Sequence, residues 1–398
     1  MKIGIAGYFN PVYVESFLSV KSKLDLKSIN GTATSVNVLV KSFLNAGHKV
    51  VVFTGDHDAE NNSTLYGDNL IVHIIGLKVK YRYLFFFIYL FRTTYRIKKY
   101  IEKECNDIDV LHAHWTYEFA YVASKFADNL PVFCTVRDWA PFIYTTMKGI
   151  KSKVLWYQKK IISKLVLKNS KIQFISNSYY TQQLILKSFS NYNIPILFNS
   201  IDDEYILKNR KNYPENFKLI SISPSLDDER KNIDKLILAF GDFRRHFPES
   251  KLLLVGNIDF NGALYLKWKN NGLLENVELL GYVNHDKLIG HLDEVSCLIH
   301  SSLEETFGNI LLEGMARRIP VIGGEKSGAV PFVLKNGLCG CLCDITDVKS
   351  IVDAIYKVYK NKFYVNEIVD NSTHVLLNEY SSSVVCQKHI SLYKSFLN

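Results

Sequence analysis

Short apolar runs alternate with longer stretches of helical spacing along this chain, and the alternation breaks off once and then restarts. That rhythm limits the fold more than any other feature. A strand buried on both faces and followed by a helix belongs to a parallel α/β layer. The first series places strands at Lys2–Ala6, Val50–Thr54, Ile71–Ile75, Val110–Ala113, Val132–Thr135, Ile172–Ser176 and Ile196–Phe198. After the first of these, residues 34–46 carry Val36, Val40, Phe43 and Leu44 at helical spacing, and Gly47 stands where a C-capping glycine belongs. A polar stretch with one proline, Lys208–Asn216, interrupts the series and reads as a linker. The second series places strands at Lys218–Ser223, Lys251–Val255, Val277–Leu280, Cys297–His300 and Val321–Gly323. Residues 381–397 close the chain with a helical pattern of Val385, Ile390, Leu392 and Phe396. Two α/β domains joined near residue 210 are therefore expected.

Composition narrows the partners. The 398 residues hold 48 Lys and Arg against 39 Asp and Glu, a formal net charge of +9. Such an excess suits a negatively charged partner: nucleic acid, a phosphorylated substrate or an anionic membrane. Seven scattered cysteines are an odd, sparse set, unlike a disulfide framework, so a reducing cytoplasmic setting is expected. The apolar run Ile3–Phe9 is too short and glycine-broken for a signal peptide and reads as a buried first strand. The longest apolar run, Tyr83–Phe91, is about half of the roughly 20 residues that a spanning helix needs.

The most informative segment is 301–323, SSLEETFGNILLEGMARRIPVIG. It follows an apolar strand and holds Glu305, the Phe307-Gly308-Asn309 loop, and Glu313 eight positions on. Ligands of open α/β sheets sit beyond the carboxyl ends of strands, and a loop entering a helix offers free N–H groups to phosphate. Gly308 lets that backbone approach closely. Glu305 suits sugar hydroxyls as an acceptor, and Glu313, about two turns along, suits a ribose. Two exposed glutamates on an ordinary amphipathic helix would be the plain alternative.

With its flanks, this segment resembles the donor-binding motif of the family 4 (group 1) glycosyltransferases, and the resemblance extends over essentially the whole chain. Asn30-Gly31-Thr32 is similar to the family's glycine loop, which places Gly31 near donor phosphate. Ala46–Val50 resembles its Gly-His turn, and Asn199-Ser200-Ile201-Asp202 its closing Asn-Gly-Val-Asp, with Ser for Gly. Arg230-Lys231-Asn232 resembles the Lys-Gly loop whose lysine neutralises the donor pyrophosphate. A fixed cation there stabilises charge gathering on the leaving group. The family's additional Arg is absent at Pro224-Ser225, which leaves Arg230 to supply that charge or the leaving group to be held differently. Phe332 stands where the family often has Glu. In the first half, His112, His114 and Trp115 end one strand, and Arg137-Asp138 ends the next, where the family commonly has His. Arg137 is expected to meet an anionic group, and Asp138 to orient an acceptor hydroxyl or take its proton; a strand-end Asp capping its loop is the plain alternative. His114 and Trp115 join Arg137 on the acceptor side.

Metal readings are set aside. His112 and His114 lack a third ligand of suitable spacing; Cys339, Cys341 and Cys343 would share one strand face as buried thiols; Asp107 and Asp109 precede a strand rather than follow one. The resemblance implies a GT-B architecture: two Rossmann-like domains facing across a cleft, residues 1–205 for the acceptor and 206–378 for the nucleotide sugar. Residues 379–398 would form a helix returning to the first domain. It implies a retaining transfer, without cofactor or divalent metal, from a UDP- or GDP-sugar to a saccharide or lipid-linked acceptor in cell-surface polysaccharide or glycolipid assembly. A GT-B nucleotide-sugar epimerase and a non-catalytic sugar-nucleotide binder stay open as alternatives. Two basic, aromatic stretches, 78–103 and 147–171, have the composition of helices that lie on anionic lipid, so a peripheral place on the inner membrane face is expected there. Core helices with snorkelling lysines are the alternative. No nucleic-acid recognition motif occurs.

Overall fold

The computed structural model describes residues 1–29, 34–78, 86–189, 193–210 and 214–397, without the side chains of residues 86, 87 and 286. The chain divides into two compact units: Met1–Ser200 with Ser382–Asn398, and Ile201–Ser381. The division falls five residues before the expected boundary. Of the expected linker, residues 211–213 lie outside the described residues, as does the glycine loop at Gly31.

Unit 1 holds a seven-stranded sheet in the order β3-β4-β2-β1-β5-β6-β7. Its strands are β1 (Lys2–Ala6), β2 (Lys49–Asp56), β3 (Ser63–Tyr66), β4 (Leu70–Gly76), β5 (Val110–His114), β6 (Val132–Val136) and β7 (Ile172–Ser176). All pairs are parallel except β3 with β4. The central strands are buried on both faces, so they read as continuous apolar runs such as Val50–Phe53. One face carries the helices Phe86–Glu104, Glu118–Ala123 and Ile150–Leu167, whose Ile97, Phe119, Ile162 and Val166 share a core with β5 and β6. The other carries Thr34–Asn45 and the last helix, Ser382–Lys394, which packs Cys386 and Tyr393 against Val36, Val40 and Phe43.

Two expectations fail here. Residues 196–198 form no strand; Ile196 makes a single bridge to Ser176, because Pro195 before it has no N–H to extend a ladder. The antiparallel edge strand β3 was not anticipated. Its four residues are too few for a periodic signal, although the Gly67-Asp68 turn that joins it to β4 is a hairpin cue.

Unit 2 holds six parallel strands in the order β10-β9-β8-β11-β12-β13. They are β8 (Lys218–Ser225), β9 (Lys251–Asn257), β10 (Val277–Gly281), β11 (Cys297–His300), β12 (Val321–Gly324) and β13 (Cys341–Cys343). Of the three alternating cysteines only Cys341 and Cys343 lie on a strand, and Cys339 precedes it; all three are buried. Burial pushes the Cys343 thiol up to about 12, so these are inert packing groups.

Candidate functional site

Both sheets reverse their strand order beside the first strand of the unit. In unit 1, β1 lies between β2 and β5; in unit 2, β8 lies between β9 and β11. At such a switch point, the connections leaving two neighbouring strands run to opposite faces and open a crevice at the carboxyl ends. The residues marked by the sequence gather at these two places.

In unit 2, the loop after β8 meets the loop after β11. The Ser301 hydroxyl donates to the Lys231 carbonyl at 2.7 Å, and the Leu303 N–H donates to the Arg230 carbonyl at 2.7 Å. This stitching places Lys231 Nζ 2.5 Å from Glu305 Oε1, with the His300 ring 3.3 Å from the same oxygen. Burial opposes charge on Glu305, but His300 and Lys231 outweigh it and hold the carboxyl well below the usual carboxylate range. Asn232 adopts φ +54°, the left-handed region that glycine favours. Asn tolerates it, and its amide donates to the Ile345 carbonyl at 2.7 Å, which explains how Asn replaces the expected Gly. Arg230 folds back as a bidentate partner of Asp228, at 3.1 and 2.6 Å, and does not join Lys231.

Gly308, at φ +84°, opens the helix Asn309–Ala316. A side chain there would be strained and would crowd Leu311 at 3.1 Å. Phe307 is buried and packs edge-on against Tyr380, anchoring the loop so that its backbone, not its ring, is left for a ligand. Glu313 is buried along the helix, its Oε1 3.6 Å from His285 Nε2 and its Oε2 without a hydrogen-bond partner. A recess of about 380 Å³ lies past the carboxyl end of β10, lined by Tyr282, Asn284, Lys287 and His291 among others.

In unit 1, β5 and β6 bring His112, His114, Trp115, Arg137 and Asp138 to one edge. His112 cannot serve a metal, because Tyr393 Oη stands 2.5 Å from Nδ1 and Thr135 Oγ1 2.7 Å from Nε2. Arg137 donates to Ser35 Oγ at 2.7 Å, Asn199 Oδ1 at 2.6 Å and His114 Nδ1 at 3.2–3.3 Å. Since His114 Nδ1 accepts, a neutral ring carries its proton on Nε2. Burial, then the neighbouring cations, push His114 and His112 well below the usual range, and His389 is pushed down to about 4 mainly by burial. Burial alone pulls Arg137 down to about 9. Asp138 accepts from the Tyr117 hydroxyl at 2.5 Å; its burial raises the carboxyl against the opposing effects of Lys159 and that hydrogen bond. Lys159 Nζ lies over the Tyr117 and Trp156 rings, 4.4 and 4.5 Å from their centroids.

The sequence marks Lys231, Glu305, Arg137 and Asp138 but not the side chains packed against them and against Glu313. His300 could have been noticed as the last residue of a strand entering the motif. Tyr117, Lys159, Ser35 and His285 carried no such signal. Among the described residues no group of three or more His, Cys, Asp or Glu is arranged to hold a metal ion.

Comparison with known proteins is consistent along the chain. Residues 29–205 match the family described as "Glycosyltransferase Family 4", and residues 204–375 match "Glycosyl transferases group 1". The chain is 25% identical over 339 residues, 84% of its length and 86% of the relative's, to an uncharacterized glycosyltransferase of Methanocaldococcus jannaschii. It is 26% identical over 203 residues, half of each chain, to the capsular polysaccharide biosynthesis glycosyltransferase CapM of Staphylococcus aureus. Among solved structures, sucrose-phosphate synthase from Thermosynechococcus elongatus superposes with a TM-score of 0.75 at 15% identity, covering 99% of this chain and 98% of that one. The fold of two parallel α/β units is GT-B.

Proposed function

This chain belongs to the family 4 (group 1) glycosyltransferases, and we propose that it moves a hexose-like sugar, with retention, from a UDP- or GDP-sugar to a saccharide or lipid-linked acceptor. The observation that carries the donor assignment is the Lys231–Glu305 pair at the switch point of unit 2. Donor pyrophosphate takes the place of Glu305 on Lys231, and the freed carboxylate accepts from sugar hydroxyls. The backbone at Phe307–Asn309 approaches the phosphates, and Glu313, whose second oxygen has no hydrogen-bond partner among the described residues, accepts from the ribose. Retention follows if the acceptor oxygen bonds to C1 on the face from which the nucleoside diphosphate departs. The C1–O bond to phosphate breaks as the new one forms, and the acceptor proton passes to the leaving phosphate oxygen. Lys231 then stabilises the departing charge without a divalent metal.

Unit 1 is the acceptor side, with Arg137, His114 and Trp115 as contacts and Asp138 orienting the acceptor hydroxyl. Its outer helices support a membrane-borne acceptor. The helix Ile150–Leu167 contains no acidic residue and exposes Ile150, Val154, Tyr157, Ile161 and Leu165 in one seam between its lysines; Ile150 is 83% exposed. On the same side of the sheet, the helix Phe86–Glu104 exposes Ile88, Phe91 and Tyr95, with Phe91 at 74%. Residues 79–85 of the first basic stretch lie outside the described residues, and no described helix is long and apolar enough to cross a membrane. Apolar seams flanked by lysine suit the interface of anionic lipid.

The test is a thermal-shift panel of UDP- and GDP-sugars, followed by NMR of the product anomer formed with the stabilising donor. A true donor stabilises the fold by mass action. Release of nucleoside diphosphate with an inverted anomer would refute retention. An epimerised donor without transfer would favour an epimerase, and binding without turnover a non-catalytic relative. Sedimentation with phosphatidylglycerol vesicles but not phosphatidylcholine vesicles is expected; binding to neither would remove the membrane role.

A further inference from the structure

Unit 1 buries a cation that no negative group answers. Arg137 is 8% exposed, and no Asp or Glu among the described residues pairs with it. Its acceptors, Ser35, Asn199 and His114, are all neutral. Arginine is seldom buried without a counter-charge, because the hydration it loses is offset only by an opposite charge and well-placed hydrogen bonds. The surroundings deepen the deficit. His112, His114 and His389 adjoin it with no acid between them, and Ser35 belongs to the first turn of the 34–45 helix, the positive end of its dipole.

An aromatic platform stands beside this cation. The Arg137 guanidinium lies 5.9 Å from the Trp115 ring centroid. Tyr8, at the carboxyl end of β1, meets Trp115 at 5.8 Å and shares a 3.0 Å hydrogen bond with His57 beyond β2. All three rings are partly exposed. Trp115 is held at φ +60°. For a bulky aromatic residue this conformation is strained, and strain of that kind tends to persist where a ligand site needs it.

We propose that unit 1 binds an acidic sugar, its ring against Trp115 and Tyr8 and its carboxylate or phosphate on Arg137. Building on the reading of unit 1 as the acceptor side, the acceptor is a uronate or a phosphorylated glycoside, not a neutral one. Entry of the anion requires the Ser35 or Asn199 side chain to turn away from Nη1, exchanging a neutral acceptor for a charged one. Charge-assisted hydrogen bonds are roughly twice as strong as neutral ones.

Calorimetry on the full chain with methyl β-D-glucuronide, glucose 6-phosphate and methyl β-D-glucoside tests this. At least one acidic probe should bind wild-type protein about tenfold more tightly than the glucoside, and the stronger of the two identifies carboxylate or phosphate. Arg137→Gln should shrink the gap to about twofold with little change in Tm, and Arg137→Lys should keep part of it. Equal affinities, no binding of either acidic probe, or a preference intact in Arg137→Gln would overturn the proposal. Should Arg137→Gln not fold, the Arg137→Lys series and the wild-type preference decide. A preference for UDP-glucuronate over UDP-glucose that depends on Arg137 would move the anion to the donor and overturn the acceptor assignment. Nucleotide-sugar stabilisation is read separately, so a protein that binds donor but ignores sugar charge keeps its enzymatic assignment and loses this one.

Discussion

The two units solve the same topological problem with opposite electrostatics. Each has a parallel sheet that reverses its strand order beside its first strand, and each collects polar side chains there. In unit 2 the cation is matched: Lys231 faces Glu305, with His300 on the same oxygen. In unit 1 the cation is unmatched: Arg137 faces neutral oxygens and three depressed histidines. The difference teaches what each crevice is prepared for. On the function proposed above, the Lys231–Glu305 pair opens, the lysine turning to phosphate and the carboxylate to hydroxyls. A lone buried guanidinium has nothing to release but neutral acceptors, and gains most when an anion arrives.

The sharpest test of this contrast is activity. Lys231→Ala should lower kcat by about 10²–10³, the usual effect of removing a charge-stabilising group, and abolish the thermal shift given by donor. Arg137→Gln should leave the donor shift in place; equal loss of that shift in both variants would erase the division between donor and acceptor units.

Stability against pH should separate the units next. The buried histidines of unit 1 have folded pKa values below their unfolded value near 6.5, so the unfolded chain binds more protons as pH falls. Their neutral burial therefore costs nothing above pH 6.5 and destabilises the fold progressively as pH falls below it, for His389 down to about 4. Urea unfolding at pH 7.0 and 5.0 measures the slope, and His389→Gln should reduce it, leaving the part due to His112 and His114.

Glu305 has the opposite sign, because its folded carboxyl is depressed. The stability it contributes is fully present above its unfolded value, about 4.3, and declines only as pH falls below that. The Tm difference between wild type and Glu305→Gln should thus be constant from pH 7 to 5 and narrow below about 4.5. A gap that shrinks already between 7 and 5 would show that Glu305 is not the depressed group. The smallest effect concerns Asn232: Asn232→Ala should cost about 1–2 kcal/mol for the left-handed turn, while Asn232→Gly should cost less, as chemical denaturation would show.

Much of this was legible in the chain alone. The alternation of apolar runs and helical spacing dictates parallel α/β layers, since strands buried on both faces have no other common arrangement. The 301–323 segment stood out as a unit, because Glu305, Gly308 and Glu313 lie close in sequence. The unit 1 site was only half legible. Arg137 and Asp138 stood out at a strand end, but Ser35, Tyr117, Lys159 and Asn199 reach them from 21 to 102 positions away. Whether a charge is matched depends on which distant side chains fold against it, and periodicity is silent on that. The sequence therefore determined the layers, the two-unit plan and the clustering of Glu305, Gly308 and Glu313 in one loop and helix. Only the tertiary structure decided that Lys231 is neutralised and Arg137 is not, because desolvation and pairing act through space and not along the chain.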